Sequence, residues 1–236
     1  MISSIPKWVG NLFEGALRPN MKVIETSYIR RRIKLVRFQG DIAKMDFQIG
    51  YANVIRVSET ELRNYTVALC DTKNGILDFL FHIHGNGVGS EYIDTLEVND
   101  EVYISPPRGK RLFSPEIKQQ LFFGDETSIG IACSALPVLK KNKHQYHFFF
   151  ELGDENRDVP QLLEIDNVTV FSKKETFRNE LWVRDLSIFQ TPDWKQASFV
   201  LTGNVKSVQT FRKVLKDKTI GKIRAQGYWL EGKKGL

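Results

Sequence analysis

Four short stretches hold residue types from which a binding or redox site could be built. The first is Arg63-Asn64-Tyr65-Thr66. Arg63 and Tyr65 stand two apart, so on an extended segment both face one side. A guanidinium there can hold a phosphate, and a phenol face can lie against a flat ring; an ordinary surface cross-strand pair has the same spacing. The second stretch is His82-Ile83-His84-Gly85-Asn86-Gly87-Val88-Gly89-Ser90, which leads into a helix expected over 91–96. Its glycines let backbone N–H groups approach a phosphate, and a helix start favours negative charge. A plain glycine turn is the alternative. A dinucleotide fingerprint is the wrong reading, because the turn follows an antiparallel-looking region. His82 and His84 also have a metal-compatible spacing but need a third ligand. The other histidines, His144 and His147, fall in the second half of the chain, so hydrogen bonding fits this pair better and no metal is expected.

The third stretch, Gly124-Asp125-Glu126-Thr127, joins the apolar Leu121-Phe122-Phe123 to a helix whose N-cap is expected at Thr127 or Ser128. In an open α/β sheet ligands bind outside the carboxyl ends of strands, where this turn would stand; a helix cap without a ligand is the alternative. The fourth is Gly227-Tyr228-Trp229-Leu230-Glu231-Gly232-Lys233-Lys234. An adjacent Tyr and Trp either pack on the protein's own surface or cover a flat cofactor, with the lysines facing an anionic substrate.

The elements that must position these residues change character along the 236-residue chain. Up to about residue 115 the pattern is one of short strands: 32–38, 52–57, the alternating 77–84, and 101–105 ended by Pro106-Pro107. Asn74-Gly75 supplies the positive φ of a hairpin turn. Beyond 116, Phe148-Phe149-Phe150 lacks alternation, as a strand buried on both faces does. Ile129, Cys133, Leu136 and Leu139 recur at helical spacing, and Val205, Val208, Phe211 and Leu215 do so after a strand at 198–202. The reading is an antiparallel β-barrel over 1–115, with a short N-terminal helix bearing Trp8, Leu12 and Leu17, followed over 116–236 by an α/β domain with a parallel sheet.

Composition narrows the partners. Lys and Arg number 34 against 28 Asp and Glu, a net +6. Nine basic and two acidic residues lie between Leu201 and Leu236, so this stretch carries +7 and the preceding 200 residues −1. The basic character is local, which suits dinucleotide phosphates or an anionic small molecule better than a broad nucleic-acid surface. Two cysteines, Cys70 and Cys133, are too few for a disulfide scaffold and are expected as buried thiols. No run of about 18 apolar residues predicts a membrane-spanning helix. A monomer in a reducing cytoplasm is the expectation, with neither nucleic acid nor membrane insertion.

The order and spacing of RxYT, HG-turn-GxxS, PPRG, GDET and YWxxG resemble the siderophore-interacting proteins over about 21–232. These are ferric-siderophore reductases of the ferredoxin-reductase-like flavoproteins. The resemblance implies an FAD-binding barrel and an NAD(P)H-binding α/β domain. It places Arg63 on FAD phosphate, Tyr65 against the isoalloxazine and Thr66 near its N5. His82, Ile83 and His84 would line the ribityl chain and flavin edge, with Gly89 and Ser90 on the pyrophosphate. Asp125, Glu126, Thr127 and Gly203 fall on the nicotinamide side, and Tyr228 and Trp229 by the flavin. Lys233 and Lys234 are candidates for attracting an anionic ferric chelate. Ser128-Ile129-Gly130 stands where the family has Ala-Leu-Pro, and Thr202-Gly203-Asn204 where it has Ala-Gly-Glu. Glu151 could accept ribose hydroxyls, and Arg157 a 2′-phosphate. The implied reaction moves electrons from NAD(P)H through FAD to Fe(III) in a ferric siderophore, releasing Fe(II). The alternatives are a flavin reductase serving a ferredoxin or flavodoxin, and a non-enzymatic FAD-binding protein.

Overall fold

The computed structural model describes residues 17–233. The expected N-terminal helix falls outside them apart from Leu17, and so does Lys234. The described chain divides into two compact units, residues 17–110 with 232–233 and residues Arg111–Glu231.

In the first unit, β1 (Met21–Arg30), β2 (Ile33–Gly40), β3 (Ala52–Arg56), β4 (Leu62–Asp71), β5 (Ile76–His82) and β6 (Glu101–Val102) form an antiparallel sheet. Their order is β3-β4-β5-β2-β1-β6. The strand expected over 101–105 divides between two partners. Glu101 and Val102 pair with β1, whereas Ile104 and Arg108 bridge to Ile55 and Ala52 of β3, at the opposite edge of the sheet. The ladder thus nearly closes into a barrel, and the segment shared between the two edges is its seam. Phe38, Phe79, Phe81, Ile55 and Leu77 fill the interior, as alternation along β5 requires. Asp78 points away from that core yet is buried, because Arg37 on the neighbouring strand grips both of its oxygens at 2.8 Å.

Helix α1 (Val88–Thr95) follows Gly85 and Gly87, whose φ angles are +76° and +95°. Its last turn is held by a buried ammonium. Lys34 Nζ donates to the carbonyls of Ile93, Asp94 and Leu96 at 3.0, 2.8 and 2.9 Å, and Tyr28 bonds the Asp94 carboxylate. A cation satisfies the open carbonyls and the negative end of the helix dipole together. Burial pushes the Lys34 amine below its usual range, and Asp94, Glu97 and Asp100 act in the opposite direction.

The second unit holds β7 (Gln119–Gly124), β8 (Gln145–Leu152), β9 (Val168–Ser172), β10 (Ser198–Asn204) and β11 (Ile223–Trp229). They form a parallel sheet in the order β11-β10-β7-β8-β9. Helix α2 (Ile129–Lys141) follows β7, the short α3 (Val159–Leu162) and α4 (Glu180–Arg184) lie in the connections around β9, and α5 (Val205–Lys218) follows β10. Phe123, Phe149, Phe177, Phe199 and Phe211 build the core on one face, and Phe148 and Phe150 are buried too. The adjacent Tyr228 and Trp229 lie on an edge strand, paired with β10 from Ile223 to Trp229. Cys70 and Cys133 are half-buried, less enclosed than expected. Burial raises their thiols to about 11 and about 12, with Asp71 adding to the first.

Replacing Lys34 by Met strands three carbonyls at the end of α1. The substitution should cost about 3 kcal/mol of stability in urea unfolding; a loss under about 0.5 kcal/mol would show that water can replace the ammonium.

Candidate functional site

In the barrel, Arg63 and Tyr65 lie on one side of β4, as their spacing predicts, and the first turn of α1 rests on them. A Cβ at Gly89 would stand 2.8 Å from Tyr65 Oη and 2.9 Å from Arg63 Cγ. Only a residue without a side chain lets the helix start approach this closely. Tyr65 meets Phe81 edge-on, with ring centroids 4.7 Å apart, and burial pushes its phenol well above the usual range. The N-cap residue Gly87 gives α1 no side-chain cap. The Ser90 hydroxyl instead accepts from the N–H of His84 and of Gly85, at 3.1 and 3.3 Å, fixing the glycine turn from within. Arg63, Tyr65 and Gly89 therefore converge, and Ser90 shapes the loop that brings them together.

The remaining expected barrel residues lie around this loop. Thr66 is on β4 opposite Ala52. His82 ends β5, Ile83 is buried with its N–H on the Arg32 carbonyl at 2.8 Å, and His84 is exposed. The two imidazoles are 6.0 Å apart, and no group of three metal-ligating side chains occurs among the described residues.

In the second unit, the Gly124-to-Thr127 turn and Gly203 meet at the carboxyl ends of β7 and β10, where the strand order reverses direction. Asp125 is the centre of this meeting. One carboxylate oxygen accepts from Thr127 N at 3.0 Å and Thr127 Oγ1 at 2.5 Å. The other accepts from Asn204 N at 2.9 Å and Trp229 Nε1 at 2.7 Å. Asp125 caps the 3-10 turn at 126–128 in a reciprocal capping box with Ser128; Ser128 is the N-cap of α2, at one of the two expected positions, and its side chain bonds back to Asp125 N and makes no cap hydrogen bond to α2. A carboxylate accepts two backbone N–H groups more strongly than a hydroxyl does, and Gly124 before it leaves room for Ser128, whose Cβ and Oγ a Cβ there would meet at 2.3 Å. Gly203 makes room for the carboxylate itself: at φ +95° a Cβ would lie 2.6 Å from Asp125 Oδ2.

The neighbouring carboxylates are also engaged. Glu126 is buried and accepts from Gly153 N at 2.8 Å and Lys173 Nζ at 2.6 Å. Glu151 Oε1 accepts from Thr176 N and Oγ1 at 2.6 and 2.7 Å, and Arg157 lies 3.9 Å from Asp154. The Trp229 indole sits beneath two cations, Lys173 at 5.4 Å and Arg178 at 6.0 Å from its ring centre. Arg178 also pairs with Glu231, which reaches Lys206 at 3.6 Å. Tyr228 is half-buried and Lys233 exposed. Lys173, Arg178 and Asn204 line this strand-end cleft but were not singled out in the sequence. Lys173 and Arg178 belong to no motif there. Asn204 was visible only as a departure from an expected Glu; its Oδ1 caps α5, and its buried Nδ2 has no partner among the described residues.

Residues 20–113 match the model of the oxidoreductase FAD-binding domain. No curated protein matches the chain by sequence. Among solved structures, the chain is similar to a siderophore utilization protein from T. fusca, with 19% identity, a TM-score of 0.74, and coverage of 93% of this chain and 95% of that one. It is similar to phthalate dioxygenase reductase, described as a modular structure for electron transfer from pyridine nucleotides to [2Fe–2S], at 15% identity and TM-score 0.73, covering 91% of this chain and 69% of that one. It is also similar to an intact type IV self-sufficient cytochrome P450 monooxygenase, at 16% identity and TM-score 0.71, covering 90% of this chain but spanning only 28% of that one. At such identities the likeness establishes the fold. The barrel is thus matched as an oxidoreductase FAD-binding domain, and the chain has the two-domain, ferredoxin-reductase-like fold.

Proposed function

We propose that the protein is an FAD-dependent reductase that passes electrons from a nicotinamide dinucleotide to Fe(III) in a ferric siderophore. The observation that carries the flavin part is the contact of Gly89 with Arg63 and Tyr65. It sets an open helix start, a guanidinium and an aromatic ring side by side within a domain matched as FAD-binding. Those residues fit the group: the bare Cα of Gly89 and the uncapped first turn of α1 suit a pyrophosphate, which Arg63 neutralises. Tyr65 and Thr66 would flank the flavin ring, and His82, Ile83 and His84 would line its ribityl side. When bound, FAD supplies the hydride-accepting and single-electron chemistry.

The chain's own residues supply binding and order. Glu126, Thr127 and Gly203 stand at the strand ends that receive a dinucleotide in open α/β sheets, and Asp125 keeps those ends in register. Ferric catecholate chelates are anionic, so Lys233 and Lys234 raise their local concentration, most strongly at low salt. Fe(III) gains one electron, and Fe(II) leaves because the chelator holds it more weakly. The siderophore assignment is supported by the near-complete mutual coverage with the T. fusca siderophore utilization protein.

A second reading is favoured by one observation: Asp125 and the Trp229 indole occupy each other in the strand-end cleft. On that reading a ferredoxin or flavodoxin supplies the electrons in place of NAD(P)H. Anaerobic mixing of the FAD-loaded protein with NADH, NADPH or a reduced carrier separates the two. Bleaching by a nicotinamide with Fe(II) trapped from an added ferric siderophore is expected; bleaching by the carrier alone moves the assignment to the second reading. Purified protein that neither carries nor takes up FAD would overturn both. Gly89→Ala forces Tyr65 and Arg63 aside and should weaken FAD binding by about tenfold or more in a fluorescence titration. Charge reversal at Lys233 and Lys234 should raise KM for an anionic ferric chelate while FAD affinity stays unchanged; an unaltered KM removes these lysines from the substrate path.

A further inference from the structure

The guanidinium proposed to meet a phosphate has an anion beside it within the chain. Arg63 Nη2 lies 3.3 Å from Glu61 Oε1, with the two side chains 16% and 21% exposed, and Arg63 Nη1 donates to the Leu62 carbonyl at 2.9 Å. Glu61 is held in place by its surroundings. Its N–H donates to Ser58 Oγ at 3.0 Å, and its carbonyl accepts from Val57 N at 2.9 Å. Arg56 braces the same turn by donating to the carbonyls of Ser58 and Glu59 at 3.1 and 3.0 Å. Glu61, Arg63 and Tyr65 alternate along the chain, which puts the carboxylate on the side of β4 where Gly89 packs.

A carboxylate fixed at this point and a pyrophosphate compete for one cation. We propose that Glu61 is a positioning residue that sets affinity for the flavin dinucleotide: it holds the Arg63 side chain along β4, and the pyrophosphate must draw the guanidinium away from it. The proposal rests on the FAD reading above. Two opposed effects come from the one contact. Glu61 keeps Arg63 ordered, and it lowers the gain from each phosphate contact. The second dominates, because the arginine stem is already fixed against Gly89, so little order is lost when the carboxylate is neutralised.

The test measures FAD dissociation constants by flavin fluorescence, at low and high salt, for the full chain, Glu61→Gln, Arg63→Gln and the double variant. Gln keeps the size and hydrogen-bonding reach of Glu61 and removes only its charge. Glu61→Gln should tighten FAD binding about fivefold at low salt and by less at high salt. Arg63→Gln should weaken binding, and in that background the Glu61 substitution should have no effect. Unchanged or weaker binding by Glu61→Gln, or a gain that persists in full without Arg63, would overturn the proposal while leaving the flavin assignment in place. A full chain that binds no FAD would overturn the two together.

Discussion

The barrel depends on one close approach. Helix α1 can start where it does only because Gly89 brings no side chain to the point where Tyr65 and Arg63 already lie. Everything nearby serves that contact. Positive φ at Gly85 and Gly87 turns the chain into it, and the Ser90 hydroxyl ties the turn back on itself. Lys34 holds the far end of the same helix. An eight-residue helix has little stability of its own; fixed at both ends, it presents its open N–H groups in one direction.

The second unit solves a similar problem with charge. Four donors from three separate places in the sequence converge on Asp125, and that convergence joins β7, β10 and the end of β11. The neighbouring Glu126 and Glu151 likewise spend their oxygens on loops after other strands. A row of acidic residues at the carboxyl edge of a parallel sheet is thus a frame first. The cations Lys173 and Arg178 close it by lying over Trp229.

Much of this was legible in the sequence wherever the cause was local. The two-residue spacing of Arg63 and Tyr65 put them on one face, the unalternating Phe148-Phe149-Phe150 marked a strand covered on both sides, and Asn74-Gly75 marked the hairpin. Partners distant in sequence were not legible. Nothing around Tyr103 shows that the chain leaves one strand neighbour for another there, because a seam is a property of the closed barrel. Asp125 read as a ligand-side acid, and its true donors include a residue 104 positions away. Residues 223–229 carry only a weak strand pattern, and their strand state comes from the β10 edge they pair with.

The place of β11 in the sheet bears on how the protein is made. It is the last of the described strands in sequence, yet β10 lies between it and β7, the first strand of its unit. During synthesis β7, β8, β9 and β10 emerge while one side of β10 is still a bare edge, and the Asp125 carboxylate has yet to meet the indole. Parallel pairings of large sequence separation form slowly and leave unpaired edges exposed. The sheet of the second unit and the centre of its cleft are therefore completed only once β11 is available to pair with β10 and to bring its indole to Asp125.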